Sequence, residues 1–304
     1  MTVRTVLGDI DPSQLGVTYL HEHLIIDSPL VERNWPHIHL HSVEAATEEA
    51  TSCARVGVGA MVDAMPTGSG RDLARLAEVS RASGIHVVAA TGMHTEKYYE
   101  GVPWAADEAD ALAERFVDEV KHGVDGVRAG IMKVATVAEN LTARERDLFR
   151  AAGVVHRETG VAVLTHCEEG RGALAQLDML ESVGVPPERV ILSHTDKVVD
   201  VDYHRSILGR GANVEYDQSL RRHLIGSEET VSLVARMWDE GFGSQIMLGT
   251  DGARRSLWTS LGGSPGLAWL YGSMPALLGT AGLSGAEIES MFVDNPARVL
   301  QLDR

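Results

Sequence analysis

Cysteine is nearly absent from this sequence, and so are long uninterrupted hydrophobic runs. The only two cysteines, Cys53 and Cys167, cannot build a framework of disulfides, which is typical of a protein kept in a reducing compartment. The most apolar late stretch, residues 267–283, is interrupted by glycine and proline and does not fit a membrane span. Because the first ten residues lack the apolar segment of a signal peptide, we expect a cytoplasmic protein that does not associate with membranes.

Positive charge is also scarce. Lysine and arginine together number 27 against 43 aspartate and glutamate residues, and the formal net charge is -16 at pH 7. Such a balance repels phosphate backbones and anionic lipid surfaces, so neither nucleic acid nor a membrane is an expected partner. A hydrophobic content of 44% is nevertheless sufficient for a large core.

What the sequence does contain is a regular alternation of short apolar runs and segments of helical composition. The apolar runs cover residues 17–23, 60–65, 86–92, 129–134, 161–166, 190–194, 212–216 and 246–251. The helical segments between them cover residues 44–55, 72–83, 108–122, 143–159, 172–183, 202–208 and 228–240. Strands that alternate with helices predict a parallel sheet, and eight such units close an α/β fold of the TIM-barrel type, the (β/α)₈ barrel. No linker-like segment divides the chain, so we expect a single domain over residues 1–304.

Side chains able to bind or bridge metal ions stand at or just past the ends of these runs: His21, His23, Lys133, His166, His194 and Asp251. His21 and His23 are two residues apart on a predicted strand, so they project to the same face and can hold one ion together. Strand ends meet at the mouth of a barrel, where imidazoles and a carboxylate from different strands would hold a divalent ion. Lys133 cannot ligate a cation as an ammonium. It either pairs with a carboxylate or captures carbon dioxide as a carbamate that can bridge two ions.

Six motifs follow one another along the chain: His21-Glu22-His23, Lys133, Thr165-His166, Ser193-His194, Gly249-Thr250-Asp251 and Asn295-Pro296-Ala297-Arg298. Their ordered series resembles the phosphotriesterase family of the amidohydrolase superfamily, over nearly the whole chain. The resemblance implies a metal-dependent hydrolase with two divalent ions, one held by His21, His23 and Asp251 and the other by His166 and His194. The ions would be Zn²⁺, or else Mn²⁺, Co²⁺ or Fe²⁺. A carboxylated Lys133 and a hydroxide would bridge them, and Asp251 would accept the proton of the attacking hydroxide.

Departures from the family pattern at the barrel mouth bear on the substrate. Three residues after His194 the chain has Lys197, where the family's organophosphate hydrolases carry an acidic residue, and Gln218 stands where many members have histidine or arginine. The cations expected around the mouth are Lys97, Lys197, Arg254 and Arg255. Local positive charge on so acidic a protein favours an anionic ligand. We therefore predict a lactonase of anionic or phosphorylated sugar lactones, similar to the phosphotriesterase-homology and lactonase subgroup, in which His94 contacts the lactone carbonyl.

Other functions share part of this pattern. A broad carboxylesterase or organophosphate triester hydrolase needs the same two ions, a mononuclear deaminase-type enzyme needs one ion and no bridging lysine, and a non-catalytic binding protein would keep the barrel and its ions. The resemblance also implies a small-molecule substrate and a homodimer. The long loop after the first strand carries His37, His39 and His41. We interpret it as a lid-forming loop rather than a second metal site, because loop histidines seldom converge on an ion.

Overall fold

The computed structural model describes residues 1–222 and 227–302. Within them the strands are β1 (Val3–Thr5), β2 (Gly8–Ile10), β3 (Val17–Glu22), β4 (Val58–Asp63), β5 (His86–Gly92), β6 (Ile131–Thr136), β7 (Val163–Cys167), β8 (Val190–Ser193), β9 (Asn213–Tyr216) and β10 (Ile246–Leu248). The α-helices are α1 (Pro29–Asn34), α2 (Val43–Arg55), α3 (Leu73–Ser83), α4 (Ala109–Lys121), α5 (Ala143–Thr159), α6 (Ala173–Ser182), α7 (Val201–Leu208), α8 (Ser227–Asp239), α9 (Trp269–Thr280), α10 (Gly285–Phe292) and α11 (Asp294–Leu300).

The strands β3 to β10 form one parallel sheet in chain order, and β1 pairs with β2 as a separate antiparallel hairpin. The end of the sheet returns to its beginning, because the backbone N–H groups of Thr250 and Asp251 donate to the carbonyl of His21 at 3.2 and 3.0 Å. Helices lie between successive strands along the chain. The predicted (β/α)₈ barrel is thereby confirmed.

Local capping explains why the predicted segments begin and end where they do. Thr142 begins α5, because its hydroxyl accepts a hydrogen bond from the backbone N–H of Glu145 at 3.2 Å, while the Glu145 carboxylate accepts one from the backbone of Thr142. Gly160 ends the same helix with a φ of 73°, a left-handed conformation that glycine adopts without strain. The predicted strand 60–65 lies two residues earlier, as β4, and the predicted strand 129–134 two residues later, as β6.

The chain after Asp251 covers one side of the barrel with three helices, α9 to α11. The apolar stretch 267–283 contains α9, which buries Leu270, Met274 and Leu278 and has Pro275 within it. No described helix is long and apolar enough to cross a lipid bilayer.

Apolar side chains pack in two layers separated by the barrel wall. The inner layer includes Leu20, Val62, Val88, Ile131, Leu164, Ile191 and Met247. Their neighbours along the strands, such as Met61 and Met132, belong to the outer layer against the helices. Since strand side chains alternate between faces, Lys133 and His166 face the barrel axis, two residues after the inner Ile131 and Leu164 respectively. Lys133 and His166 thus point inward near the C-terminal ends of β6 and β7.

A buried polar network ties the end of β5 to α4. Glu119 of α4 accepts a hydrogen bond from the Thr67 hydroxyl at 2.7 Å and pairs with Arg71 at 2.8 Å. The carbonyl of Thr67 accepts a hydrogen bond from the Tyr99 hydroxyl at 3.0 Å, and the Tyr99 oxygen accepts one from the backbone N–H of His94 at 2.9 Å. The network therefore holds the loop that follows β5 at the barrel mouth.

Removal of the carboxylate from this network should destabilise the protein strongly. We expect Glu119→Ala to lower the free energy of unfolding by about 3–5 kcal/mol, because it leaves the buried Arg71 guanidinium without its ion pair. Urea unfolding followed by circular dichroism measures the change. Glu114→Ala, at an exposed position of the same helix, is the control and should change stability by about 0.5 kcal/mol or less. Equal losses in the two variants would contradict a structural role for the network.

Candidate metal centre

The first two histidines come from β3, and an irregularity in this strand turns both toward the barrel axis. Tyr19 pairs with Met61 of β4, and Glu22 pairs with Asp63. Two residues of β3 therefore lie opposite one residue of β4, an irregularity known as a β-bulge. The extra residue resets the alternation of side chains, and the rings of His21 and His23 lie with their centroids 5.3 Å apart. Glu22 faces another way and accepts a hydrogen bond from the backbone N–H of Thr250 at 2.9 Å.

The ends of β7 and β8 supply a second pair of histidines. His166 Nδ1 and His194 Nε2 face each other across 2.8 Å. Burial, together with the neighbouring His194, lowers the pKa of His166 to about 3, so this imidazole is neutral and offers a lone pair. The backbone of His194 has a φ of 65°, in the left-handed region where residues other than glycine are strained. Strain of this kind concentrates at functional sites.

Asp251 follows β10 and also has a left-handed backbone, with a φ of 43°. Its carboxylate lies 3.4 Å from His23 Nε2 and 2.5 Å from a guanidinium nitrogen of Arg221, which donates to the Asp251 carbonyl as well, at 2.7 Å. Burial alone would raise the pKa of Asp251, but the Arg221 guanidinium and the neighbouring histidines His23, His194 and His21 together outweigh it and keep this pKa well below its usual value. The carboxylate is therefore ionised. Arg221 was not predicted, because it lies in a loop beyond β9 where strand spacing gives no signal.

Lys133 is completely buried, and its Nζ lies 3.4 Å from Nε2 of His21. The carboxylates nearby are engaged elsewhere: Glu215 with His21, Asp217 with His194, and Asp251 with Arg221. Within the described residues, Lys133 thus lacks the carboxylate partner that one of its two sequence interpretations required. Burial lowers the pKa of its amine to about 8, although the neighbouring carboxylates oppose the shift.

All six residues predicted from the sequence therefore meet at the C-terminal mouth of the barrel. The possible ligand atoms of His21, His23 and Asp251 all lie within 4.8 Å of one another. The same holds for a second group, which consists of His21, His194 and Asp217. Neutral imidazoles and ionised carboxylates are ligands that Zn²⁺ and related divalent ions accept. The donor set fits a centre for divalent metal ions.

Three acidic residues behind the histidines were not predicted. They contact the histidines in pairs, with Glu168 2.7 Å from His166 Nε2, Asp217 2.6 Å from His194 Nδ1 and Glu215 3.3 Å from His21 Nδ1. A carboxylate on the outer nitrogen of a ligating histidine fixes its ring orientation and tautomer. A signal for two of them exists in the sequence, because Glu215 and Asp217 are two residues apart at the end of a predicted strand, as His21 and His23 are.

A cavity of about 280 Å³ opens above the cluster. Four of the five predicted substrate contacts line it: His94, Lys97, Lys197 and Arg254. Its walls also include Trp35, Ile38, Met65, Tyr98 and the unpredicted Arg221. Arg255 is not brought to the cavity, because its guanidinium donates to the backbone carbonyl of His39 at 2.9 Å. Sequence spacing could not resolve which of two consecutive arginines on a turn faces inward.

The histidine-rich loop borders the cavity. His37 contributes to its lining, whereas His39 is paired with Asp27 at 2.8 Å, and Asp27 is paired in turn with Arg75 at 2.7 Å. None of the three loop histidines belongs to a metal-capable group among the described residues. His37 therefore forms part of the cavity wall, and the lid-forming role of the loop stays a prediction.

Comparison with known proteins gives a family. Residues 1–300 match the model of the phosphotriesterase family, whose members are binuclear metal-dependent hydrolases. The chain is 29% identical to a phosphotriesterase homology protein of Mycobacterium tuberculosis, over 98% of this chain and 97% of that protein. It is 28% identical to a phospho-furanose lactonase of Mycoplasmopsis synoviae, over 99% of this chain and 92% of that protein. The crystal structure of a lactonase from Listeria monocytogenes matches with a TM-score of 0.94 at 27% identity, and each chain is covered completely. The resemblance noted in the sequence is thereby confirmed, and the chain belongs to the phosphotriesterase family.

Proposed function

We propose that this protein is a metal-dependent hydrolase that opens lactones, and that its substrates are anionic, chiefly phosphorylated, sugar lactones. The observation that carries the proposal is a single cavity with the metal-binding set at its floor and the cations Lys97, Lys197 and Arg254 on its walls. In a chain with a net charge of -16, these cations concentrate positive charge where an anionic group of a substrate would lie. The similarity to proteins described as a phospho-furanose lactonase and a lactonase supports the same substrate class.

His21, His23 and Asp251 would hold one of the two proposed ions. His166 and His194 would hold the other. Zn²⁺ is the ion we propose first, with Mn²⁺, Co²⁺ and Fe²⁺ as ions that similar nitrogen and oxygen ligands accept. When bound, the ions would lower the pKa of a coordinated water and polarise the lactone carbonyl.

Lys133 would serve this centre as a carbamate. Its neutral amine adds to carbon dioxide, so that a nitrogen–carbon bond forms and one proton is released. The product is an anion with two oxygens in place of a cation that would repel metals. The geometry supports this step, because Nζ lies beside the ligand nitrogen of His21 and has no carboxylate partner among the described residues.

The remaining side chains orient the reactants. Arg221 holds the Asp251 carboxylate in place and ionised, so that Asp251 can accept the proton of the attacking nucleophile as well as bind an ion. The ring centroid of His94 lies 4.5 Å from that of His166, with the two rings tilted by 53°, and His94 lines the cavity where it could contact the carbonyl of a lactone. Trp35 and Tyr98, whose rings lie 4.8 Å apart, form an aromatic wall that excludes water from one side.

The residues of the turn after β8 are evidence against hydrolysis of organophosphate triesters as the main activity. Lys197 of this turn lines the cavity where the organophosphate hydrolases of the family carry an acidic residue. The adjacent Asp196 is completely buried and accepts hydrogen bonds from the backbone N–H of Gln218 at 3.0 Å and the hydroxyl of Thr230 at 2.9 Å. Asp196 is therefore not among the residues of the cavity wall and cannot replace the missing acid.

A panel of substrates tests the proposal. The protein loaded with Zn²⁺ should hydrolyse phosphorylated and free sugar lactones with a higher kcat/KM than an aryl ester or a paraoxon-like triester. Turnover of the triester or the aryl ester with no activity on lactones would overturn the lactonase proposal. A protein that holds two ions and hydrolyses none of these compounds would favour the binding-protein alternative, and one ion per chain would favour a mononuclear enzyme.

The cations of the cavity wall should distinguish charged from neutral lactones. We expect Lys197→Ala and Arg254→Ala each to raise KM for a phosphorylated lactone by about tenfold or more, because a hydrogen bond to a charged group contributes about 1.5–3 kcal/mol. The KM for the corresponding unphosphorylated lactone should stay unchanged. Steady-state kinetics on the two substrates measures the difference.

Lys121→Ala is the control for this experiment, since Lys121 lies on α4 and pairs with Glu158 at 2.7 Å, away from the cavity lining. It should leave both KM values as they are. Equal increases in KM for the charged and the neutral lactone in the Lys197 and Arg254 variants would remove the argument for an anionic substrate.

A further inference from the structure

Two carboxylates that the proposed mechanism does not use lie inside the barrel beneath the metal-binding set. Glu215 belongs to β9 and Asp217 follows it, and both side chains are completely buried. Both oxygens of Glu215 and the Oδ2 atom of Asp217 make no aligned hydrogen bond within the described residues, although the two carboxyl groups are neighbours. A buried carboxylate without such a partner destabilises the fold, so a compensating interaction is expected.

The compensating groups are the outer nitrogens of two proposed metal ligands. The Nδ1 atoms of His21 and His194 also lack an aligned hydrogen-bond partner in this part of the chain. Glu215 Oε2 lies 3.3 Å from the first and Asp217 Oδ2 lies 2.6 Å from the second. The opposite nitrogens, Nε2 of each ring, face Lys133 and His166 respectively. An imidazole that ligates through Nε2 carries its proton on Nδ1, so both rings would direct an N–H group at a carboxylate.

The surrounding residues leave a space that matches the Glu215 side chain. Gly249, on the neighbouring end of β10, has no side chain, and a Cβ atom there would lie only 2.5 Å from Glu215 Oε1 and 2.8 Å from the backbone nitrogen of His21. Asp217 is oriented by Gln218, whose side-chain amide donates to Oδ1 and leaves Oδ2 toward His194. The carboxylate positions are therefore defined by the packing around them.

We propose that Glu215 is a positioning residue that accepts a hydrogen bond from His21 Nδ1, presents His21 Nε2 to the ion that it would share with His23 and Asp251, and raises the affinity of the centre for divalent metal. Asp217 has the same relation to His194. Neither carboxylate is among the residues that line the cavity, so each acts through its histidine and not on the substrate. This inference rests on the proposed binuclear centre.

Metal binding tests the role of Glu215 without reference to any substrate. Glu215→Gln keeps the shape and one acceptor oxygen but cannot ionise, and Glu215→Leu removes the acceptor oxygen as well. We expect the Kd for the Zn²⁺ at the His21, His23 and Asp251 site, measured by competition with a chromophoric chelator, to rise about tenfold in the Gln variant and about a hundredfold in the Leu variant. In protein loaded with Co²⁺, the visible absorption bands should shift, because the His21 ring changes its orientation at the ion. Asp217→Asn should change the Kd of the other ion.

Glu49→Gln is the matched control. Glu49 is as deeply buried as Glu215 but accepts hydrogen bonds from the backbone N–H of Leu267 at 2.7 Å and the hydroxyl of Thr259 at 3.0 Å, not from a histidine. It should lower the Tm of the metal-free protein without changing either Kd. Circular dichroism of each variant shows whether it folds, and Glu215→Gln decides the question if Glu215→Leu does not.

The outcomes separate this inference from the proposed function. If the wild-type protein binds two ions and Glu215→Gln binds both with the wild-type Kd and Co²⁺ spectrum, the positioning role is overturned and the proposed function stands. If the wild-type protein itself binds fewer than two ions, the binuclear centre fails and the inference fails with it.

Discussion

Replacing Lys133 with methionine should leave the protein folded but reduce its bound Zn²⁺ from two ions per chain to one or none. Methionine fills a similar volume without a charge, so it suits a position that is completely buried. Without the oxygens of the proposed carbamate, the two groups of ligands would lose the anion that joins them. We therefore expect kcat/KM for a lactone to fall by about three orders of magnitude, the upper end of what one preorganised electrostatic group contributes. Elemental analysis of the purified variant gives the number of bound Zn²⁺ ions per chain, and steady-state kinetics give kcat/KM.

The wild-type protein supplies the control for this prediction. Metal-free protein that is reconstituted with Zn²⁺ in buffer depleted of carbon dioxide should regain less activity than the same protein supplied with bicarbonate. The Lys133→Met variant should not respond to bicarbonate. If that variant holds two ions and keeps wild-type kcat/KM, the bridging role of Lys133 is wrong.

Asparagine in place of Asp251 should lower kcat by about 10²–10⁴-fold, the range contributed by a general base. The amide retains an oxygen that can face an ion but cannot accept the proton of the nucleophile. It also leaves Arg221 without its carboxylate partner, which lies 2.5 Å away in the wild-type protein. Kinetics at saturating Zn²⁺ separate the loss of the base from a loss of metal, and KM for the lactone should change little.

Asp63→Asn is the control for the Asp251 variant. Asp63 is a completely buried aspartate at the end of β4, and it accepts hydrogen bonds from the backbone N–H groups of Leu24 at 2.7 Å and Met65 at 3.1 Å. Its loss should lower the Tm while kcat stays close to the wild-type value. A kcat for Asp251→Asn within tenfold of the wild type would show that another group accepts the proton.

The fold and the floor of the site were predictable because both depend on short-range regularities. Eight apolar runs that alternate with helical segments allow few arrangements other than a barrel, and its strand ends must share one mouth. His21 and His23 share a face, as alternation predicts, but alternation from the start of β3 does not give the face that they share. A bulge in β3 resets the alternation just before His21, and one inserted residue leaves no mark in the composition.

The walls of the cavity were predictable only in part, because loops and not strands carry them. Arg254 lines the cavity while Arg255 binds a backbone carbonyl, a distinction made by the geometry of one turn. Arg221 reaches Asp251 from a loop whose path the sequence does not define. The carboxylates Glu215 and Asp217 were missed for another reason, since acidic residues are ordinarily exposed and their two-residue spacing at a predicted strand end was not interpreted as a pair that faces inward.

The central claim is that this cavity holds two divalent ions joined by Lys133. A crystal structure of the Zn²⁺-loaded protein, with anomalous difference density collected at the zinc edge, tests it most directly. We predict two peaks, one about 2.0–2.2 Å from ligand atoms of His21, His23 and Asp251 and the other at the same distance from His166 and His194, with carbamate density on the Lys133 amine between them. A single peak, or an unmodified Lys133 amine that contacts neither ion, would contradict the account.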